Sequence, residues 1–180
     1  RVLEFDSLSQ QEREQLAARA GFITCAFSSL RRQQLCQIAT EAGFHPAEAL
    51  CDPTAVLPRS LRVGSGTFIN AAAVVGSATF IGAHSLINRA VSIGHHCMLG
   101  DFVSIGPGAT LASNIRVGEG ATIGVGATVV PNISIGQNAV VGAGSLVRKD
   151  IPDNGFVAGN PAVERHLDRE RSALNTSGEE

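Results

Sequence analysis

Residues 55–150 fall into sixteen consecutive hexads whose third residue is always Ile, Leu or Val, from Leu57 to Val147, with no insertion or deletion. If roughly one residue in four were of these types, chance would give such a run on the order of once in 10⁹ to 10¹⁰ trials. The fourth residue is Gly in ten of the hexads, and the first is usually small or aliphatic. A fixed period this short marks a stacked parallel β-helix and takes precedence over any other fold assignment. Each hexad supplies one short strand and one turn. The aliphatic third residue points into the column, and Gly at the fourth position permits turn dihedrals that other residues resist. With three hexads to a coil, residues 18 apart stack at the ~4.8 Å strand spacing, and the stretch makes about five coils.

The column needs both ends covered, because each presents an open sheet edge. Before it lies a unit spanning residues 1–53 in which the period is different. Residues 2–5 read as a short strand, and Ser7 or Ser9 caps a helix running to about Arg19, with Gly21 as its stop. The apolar run 22–27 reads as a buried strand. Ser28 or Ser29 then caps a helix over residues 30–42, with Leu30, Leu35, Ile38 and Ala42 recurring at helical spacing and Gly43 ending it. Residues 49–51 read as a third strand before Asp52-Pro53, so the unit is a small parallel α/β layer. After the column, residues 151–180 form a C-terminal cap and a charged tail, with a short helix reaching Leu174. The fold class is mainly β: a 54–150 column behind a small α/β unit.

A net charge of −2 gives no electrostatic case for nucleic acid or for an anionic membrane. No run approaches the ~18 apolar residues of a membrane span, and no signal peptide is visible, which points to the cytoplasm. Cys25, Cys36, Cys51 and Cys97 lack metal-ligand spacing, and those in the N-terminal segments read as reduced core residues.

Three stretches narrow the reading: 88–97 (NRAVSIGHHC), 100–102 with 108–114 (GDF and GATLASN), and 151–154 with 159–162 (IPDN and GNPA). With the hexads, these resemble the left-handed β-helix acyltransferases, most of all the sialic acid O-acetyltransferases and the bacillosamine and perosamine N-acetyltransferases. The resemblance implies a left-handed column behind a partial Rossmann-like unit. It also implies a homotrimer with its sites between subunits, and transfer of an acetyl group from acetyl-CoA to a sugar or nucleotide-linked sugar. No metal is implied. It selects His95 as the general base, with His96 as the second candidate. Asn88 is placed near the acceptor, although stacking on Asn70 in an amide ladder explains it equally well. Ser113, through its backbone N–H, and Ala143, Gly159 and Arg165 are placed along the coenzyme A groove, where Arg148 and Lys149 can also face the phosphates. The chain departs from the family in two informative places. The Gly-Asn/Asp-Asn turn after the second strand is replaced by Phe27-Ser28-Ser29, followed by Arg31 and Arg32. The acidic residue that commonly follows the histidine is replaced by His96.

The chemistry suits those residues. Acyl transfer from a thioester needs a base for the attacking group's proton, donors for the developing oxyanion, and a fixed thioester. Histidine suits the first role. His95 stacks between Ser77 and Ser113, one coil away on either side, whereas His84 reads as a solvated corner. Two other classes compete. A zinc enzyme of the γ-carbonic anhydrase kind would need histidine spacings that His84, His95 and His96 do not meet. A trimeric scaffold or regulatory module without activity fits the missing acidic neighbour.

Overall fold

The computed structural model describes residues 9–165. The strand read at 2–5 and the helix read up to Leu174 lie outside them. The column is a parallel β-solenoid of about 6 turns with a triangular cross-section. One face carries Leu50–Cys51, Phe68–Ile69, Leu86–Ile87, Ser104–Ile105, Thr122–Ile123, Val140–Val141 and Phe156–Ala158 in parallel order. A second runs from Arg62–Val63 to Ser134–Ile135, and a third from Val74–Val75 to Leu146–Val147. Pairs such as Ser92↔Thr110 and Ile93↔Leu111 hold the register at 18 residues per coil. Third-position residues including Ile81, Ile87 and Ile105 are fully buried, and so are first-position residues such as Val91, Val103 and Ile115. Two inward positions per hexad make the column a filled core.

The glycines have a different reason from the one expected. Left-handed backbone falls at the sixth position, held by Ala72, Ala78, His84, His96 and Asn114 among others, at φ between 53 and 60°. The fourth-position glycines are required by the neighbouring coil instead. A Cβ on Gly94 would lie 2.6 Å from the Ala112 carbonyl carbon and 2.7 Å from Ser113 N. Glycine is needed there for close approach of backbones rather than for its dihedrals.

The column is longer than the hexads alone imply. Leu50–Cys51 pairs with Phe68–Ile69, so the strand assigned to the α/β unit is the first rung of the column. At the far end Ile135 bridges Ile151 and Val140 pairs with Phe156. The repeat therefore shortens from 18 to 16 residues. Asp150 and Asp153 fill the gap, their carboxylates accepting from Ser134 N–H at 2.8 Å and Gln137 N–H at 2.7 Å. Phe156–Ala158 then pairs antiparallel with Val163–Glu164.

The N-terminal unit holds two helices, α1 (Gln10–Ala17) and α2 (Ser29–Glu41), and one parallel pair, Gly21–Phe22 with His45–Pro46. Ser9 caps α1 in a capping box with Glu12, and Ser28 caps α2 through Arg31 N–H. The strand read over 22–27 shrinks to Gly21–Phe22 because the chain after it bends to meet the column. Helix α2 does not bury the face its apolar spacing suggests. Leu30 and Ile38 are 67% and 55% exposed, while Arg32 and Cys36, one turn apart, are the buried pair. Cys25 is exposed, against the expectation of a core residue.

Candidate active site

His95 and His96 occupy one corner of the column, between Ser92–Ile93 and Met98–Leu99. Both side chains are exposed. Their backbones are fixed by the adjoining coils: His96 N–H donates to Ser77 O at 3.0 Å, and His95 O accepts from Asn114 N–H at 3.0 Å. The expected stack of Ser77, His95 and Ser113 is therefore present. The rings meet edge to face at 89°, with centroids 5.0 Å apart, and the two Nδ1 atoms are 2.8 Å apart. One nitrogen must carry the shared proton and the other must accept it. Beneath them the Cys97 thiol is buried and donates to Ala112 O at 3.2 Å. Burial raises its pKa, so it packs as a neutral thiol.

Ser113 lies one coil on, and its N–H donates to no group among the described residues. The acids Asp101 and Glu119 stand at the next corner, after Met98–Leu99 and Arg116–Val117. Asp101 is committed to Ala83 N–H at 2.7 Å. Glu119 borders a groove of about 680 Å³ beside Ser28 and Gln33 of the N-terminal unit.

The remaining candidates fall elsewhere. Asn88 and Ala143 share the third corner, away from His95. Asn88 Oδ1 accepts from Arg89 N–H at 3.0 Å and from Asn70 Nδ2 at 3.5 Å, which is the ladder arrangement. Gly159 N–H donates to Ser145 Oγ at 3.1 Å, close to Ala143 in the chain, and the exposed Arg165 follows the Val163–Glu164 strand. Arg148 and Lys149 line a groove of about 590 Å³ at the column's end, with Pro161 and Glu164. Neither groove reaches His95. Within one chain, then, His95 and Ser113 form one cluster, and Ala143 and Gly159 another.

Two residues do something the sequence did not disclose. Arg32, expected in an altered nucleotide turn, is fully buried. It makes six hydrogen bonds: Nε to His84 O, one terminal nitrogen to Ala26 O, Phe27 O and Ser104 Oγ, the other to Phe102 O and Val103 O, at 2.6–3.1 Å. None of these acceptors is a carboxylate. Burial lowers its pKa to about 10, so it stays charged at neutral pH. It bolts α2 to the column and is spent on that role.

His84 is not a solvated corner. It stacks between Phe22 and Phe102, with centroids at 5.9 and 5.0 Å, and its Nδ1 lies 3.3 Å from Cys36 Sγ. Its pKa is lowered, chiefly by burial; Asp101 opposes the shift and Arg32 adds to it. Below about pH 6.5 His84 would take up a proton when the unit is undocked, which it resists when the unit is docked. Docking is therefore expected to be insensitive to pH above that value and to weaken as pH falls below it. Amide exchange of α2, followed between pH 8 and 5, checks this. A flat profile would show that His84 is not part of the latch.

The bacterial transferase hexapeptide family (six repeats) matches residues 114–149. Among solved structures, a variant of perosamine N-acetyltransferase from Caulobacter crescentus with CoA and GDP-perosamine is 32% identical. The match covers 87% of this chain and 73% of that one, with a TM-score of 0.81. The acetyltransferase domain of PglB from Neisseria gonorrhoeae is 32% identical over 89% of this chain and 74% of that one, with a TM-score of 0.78. WeeI from Acinetobacter baumannii is 26% identical over 79% and 69%, with a TM-score of 0.69. No curated protein matches the chain. The chain belongs to the left-handed β-helix, hexapeptide-repeat acetyltransferases that act on sugars. Among the described residues no group of three His, Cys, Asp or Glu is placed to hold a metal ion, and no helix is long and apolar enough to cross a membrane.

Proposed function

We propose that this chain moves the acetyl group of acetyl-CoA onto an amino or hydroxyl group of a nucleotide-linked sugar, with His95 as general base. The supporting observation is the corner itself: an exposed imidazole one coil from the uncommitted N–H of Ser113. As the acceptor nitrogen or oxygen attacks the thioester carbonyl carbon, His95 Nε2 takes its proton. The oxyanion forms against Ser113 N–H, the C–S bond breaks, and the imidazolium returns the proton to the leaving thiolate. Transfer is direct, with no acyl-enzyme.

The division of candidates between corners supports a homotrimer with sites between subunits. Asn88, Ala143, Gly159 and Arg165 can join His95 and Ser113 only when a neighbouring copy presents its own third corner. The pantetheine then passes Ala143 and Gly159, and Arg165, with Arg148 and Lys149, meets the phosphates. The cytoplasmic address belongs to the same proposal. Calorimetric titration of the assembled protein with acetyl-CoA, paired with light scattering, tests it. Saturable binding by a trimer is expected, followed by CoA release with UDP- or GDP-linked amino sugars. An intact trimer that binds no acetyl-CoA would leave the chain a scaffold.

A further inference from the structure

The His95–His96 contact carries more than a position. In the acetyltransferase reading on which this inference rests, His95 Nε2 must be free of a proton before attack. A neutral imidazole carries its proton on one nitrogen only, and the bond made by the other nitrogen decides which. Here that bond is between two Nδ1 atoms 2.8 Å apart. If His96 donated, the His95 proton would sit on Nε2 and the base would be blocked. Among the described residues no carboxylate bonds to either ring. The residues one coil away at these two positions are Ser77, Ala78, Ser113 and Asn114, and Asp101 is held by Ala83 at another corner.

We propose that His96 is a positioning residue that accepts the His95 Nδ1 proton and keeps its own proton on Nε2. A neutral imidazole here does the work expected of a carboxylate. It holds His95 as the Nδ1–H tautomer with Nε2 exposed and unprotonated. When His95 takes the acceptor's proton, the resulting imidazolium still donates through Nδ1 to the same lone pair, so no hydrogen bond is rearranged during transfer. The His96 backbone is at φ +57, a conformation that the stacked residues Ala78 (φ 57) and Asn114 (φ 60) also adopt. Alanine and asparagine therefore fit at 96 without disturbing the column. Asparagine also places its amide oxygen where histidine has Nδ1.

The test uses the assembled protein. Ring ¹⁵N NMR at pH 8 should show His95 protonated on Nδ1 in the wild type and mainly on Nε2 in His96→Ala. In the same variant kcat should fall about 10–100-fold with the KM for acetyl-CoA unchanged, a smaller loss than the ~10⁴-fold of a triad locked in the wrong tautomer. His96→Asn should restore the Nδ1–H tautomer and most of kcat. An Nε2–H tautomer in the wild type, or an unaltered one in His96→Ala, overturns the proposal. The two readings fail separately. Activity retained by His95→Ala would remove the base, and with it any positioning role, whatever the spectrum shows. A wrong tautomer beside an inactive His95→Ala would remove His96 alone.

Discussion

Replacing His95 with alanine should lower kcat by about 10²–10⁴ while leaving the assembly state and melting behaviour unchanged. The two halves of that expectation have separate causes. The kinetic loss follows because, in the proposed reaction, one imidazole both takes the acceptor's proton and returns it to the leaving thiolate. The structural indifference follows because the side chain is exposed and, among the described residues, its ring bonds only to His96, while the backbone bonds to neighbouring coils survive truncation. The KM for acetyl-CoA should not move, since Ser113 offers a main-chain donor. Steady-state kinetics with a CoA-release assay, beside size-exclusion light scattering, separates these effects. A variant with near-full kcat would remove His95 from the base role.

Arg32→Met should detach the N-terminal unit without unfolding the column. The guanidinium serves five main-chain carbonyls and Ser104 Oγ from a fully buried position. Removing it strands those acceptors, and each buried acceptor left unsatisfied costs about 1–3 kcal/mol. A lysine should not rescue it, because one ammonium with three donors cannot span acceptors matched to a planar fork. Hydrogen exchange should show α2 losing protection while strands from Thr122–Ile123 onward keep theirs. Equal loss throughout would mean that the unit and the column fold as one. No loss at all would mean that the apolar contacts of Phe22 and Phe102 around His84 suffice.

The column was legible because its rule is local and repeated. Every coil restates the same inward positions, so the register at Ser92↔Thr110 follows from counting. What the period could not show is where it would be broken usefully. Leu50–Cys51 precedes the hexads, yet the backbone edge at Phe68–Ile69 accepts it as a rung. In the 16-residue final coil the Asp150 carboxylate takes the Ser134 N–H that a main-chain carbonyl takes in the regular coils. Arg32 was read only as part of an altered nucleotide turn because four of its six partners lie 52 to 72 residues away in sequence. His84 was misread for the same reason: the chain alone does not say that Phe22 and Phe102 will close on it. The His95–Ser113 stack came through because both residues obey the 18-residue rule. The Nδ1–Nδ1 contact did not, because ring orientation is not periodic.

An open parallel stack is a template for its own extension. The last rung of one copy presents the acceptors that the first rung of another would need, and repetition of that contact yields a fibre. The shortened coil and the reversed Val163–Glu164 strand interrupt this in two ways. The final turn is out of step with the 18-residue repeat, and on one face the terminal edge offers antiparallel rather than parallel partners. The same few residues that close the described end of the column therefore also work against its end-to-end extension.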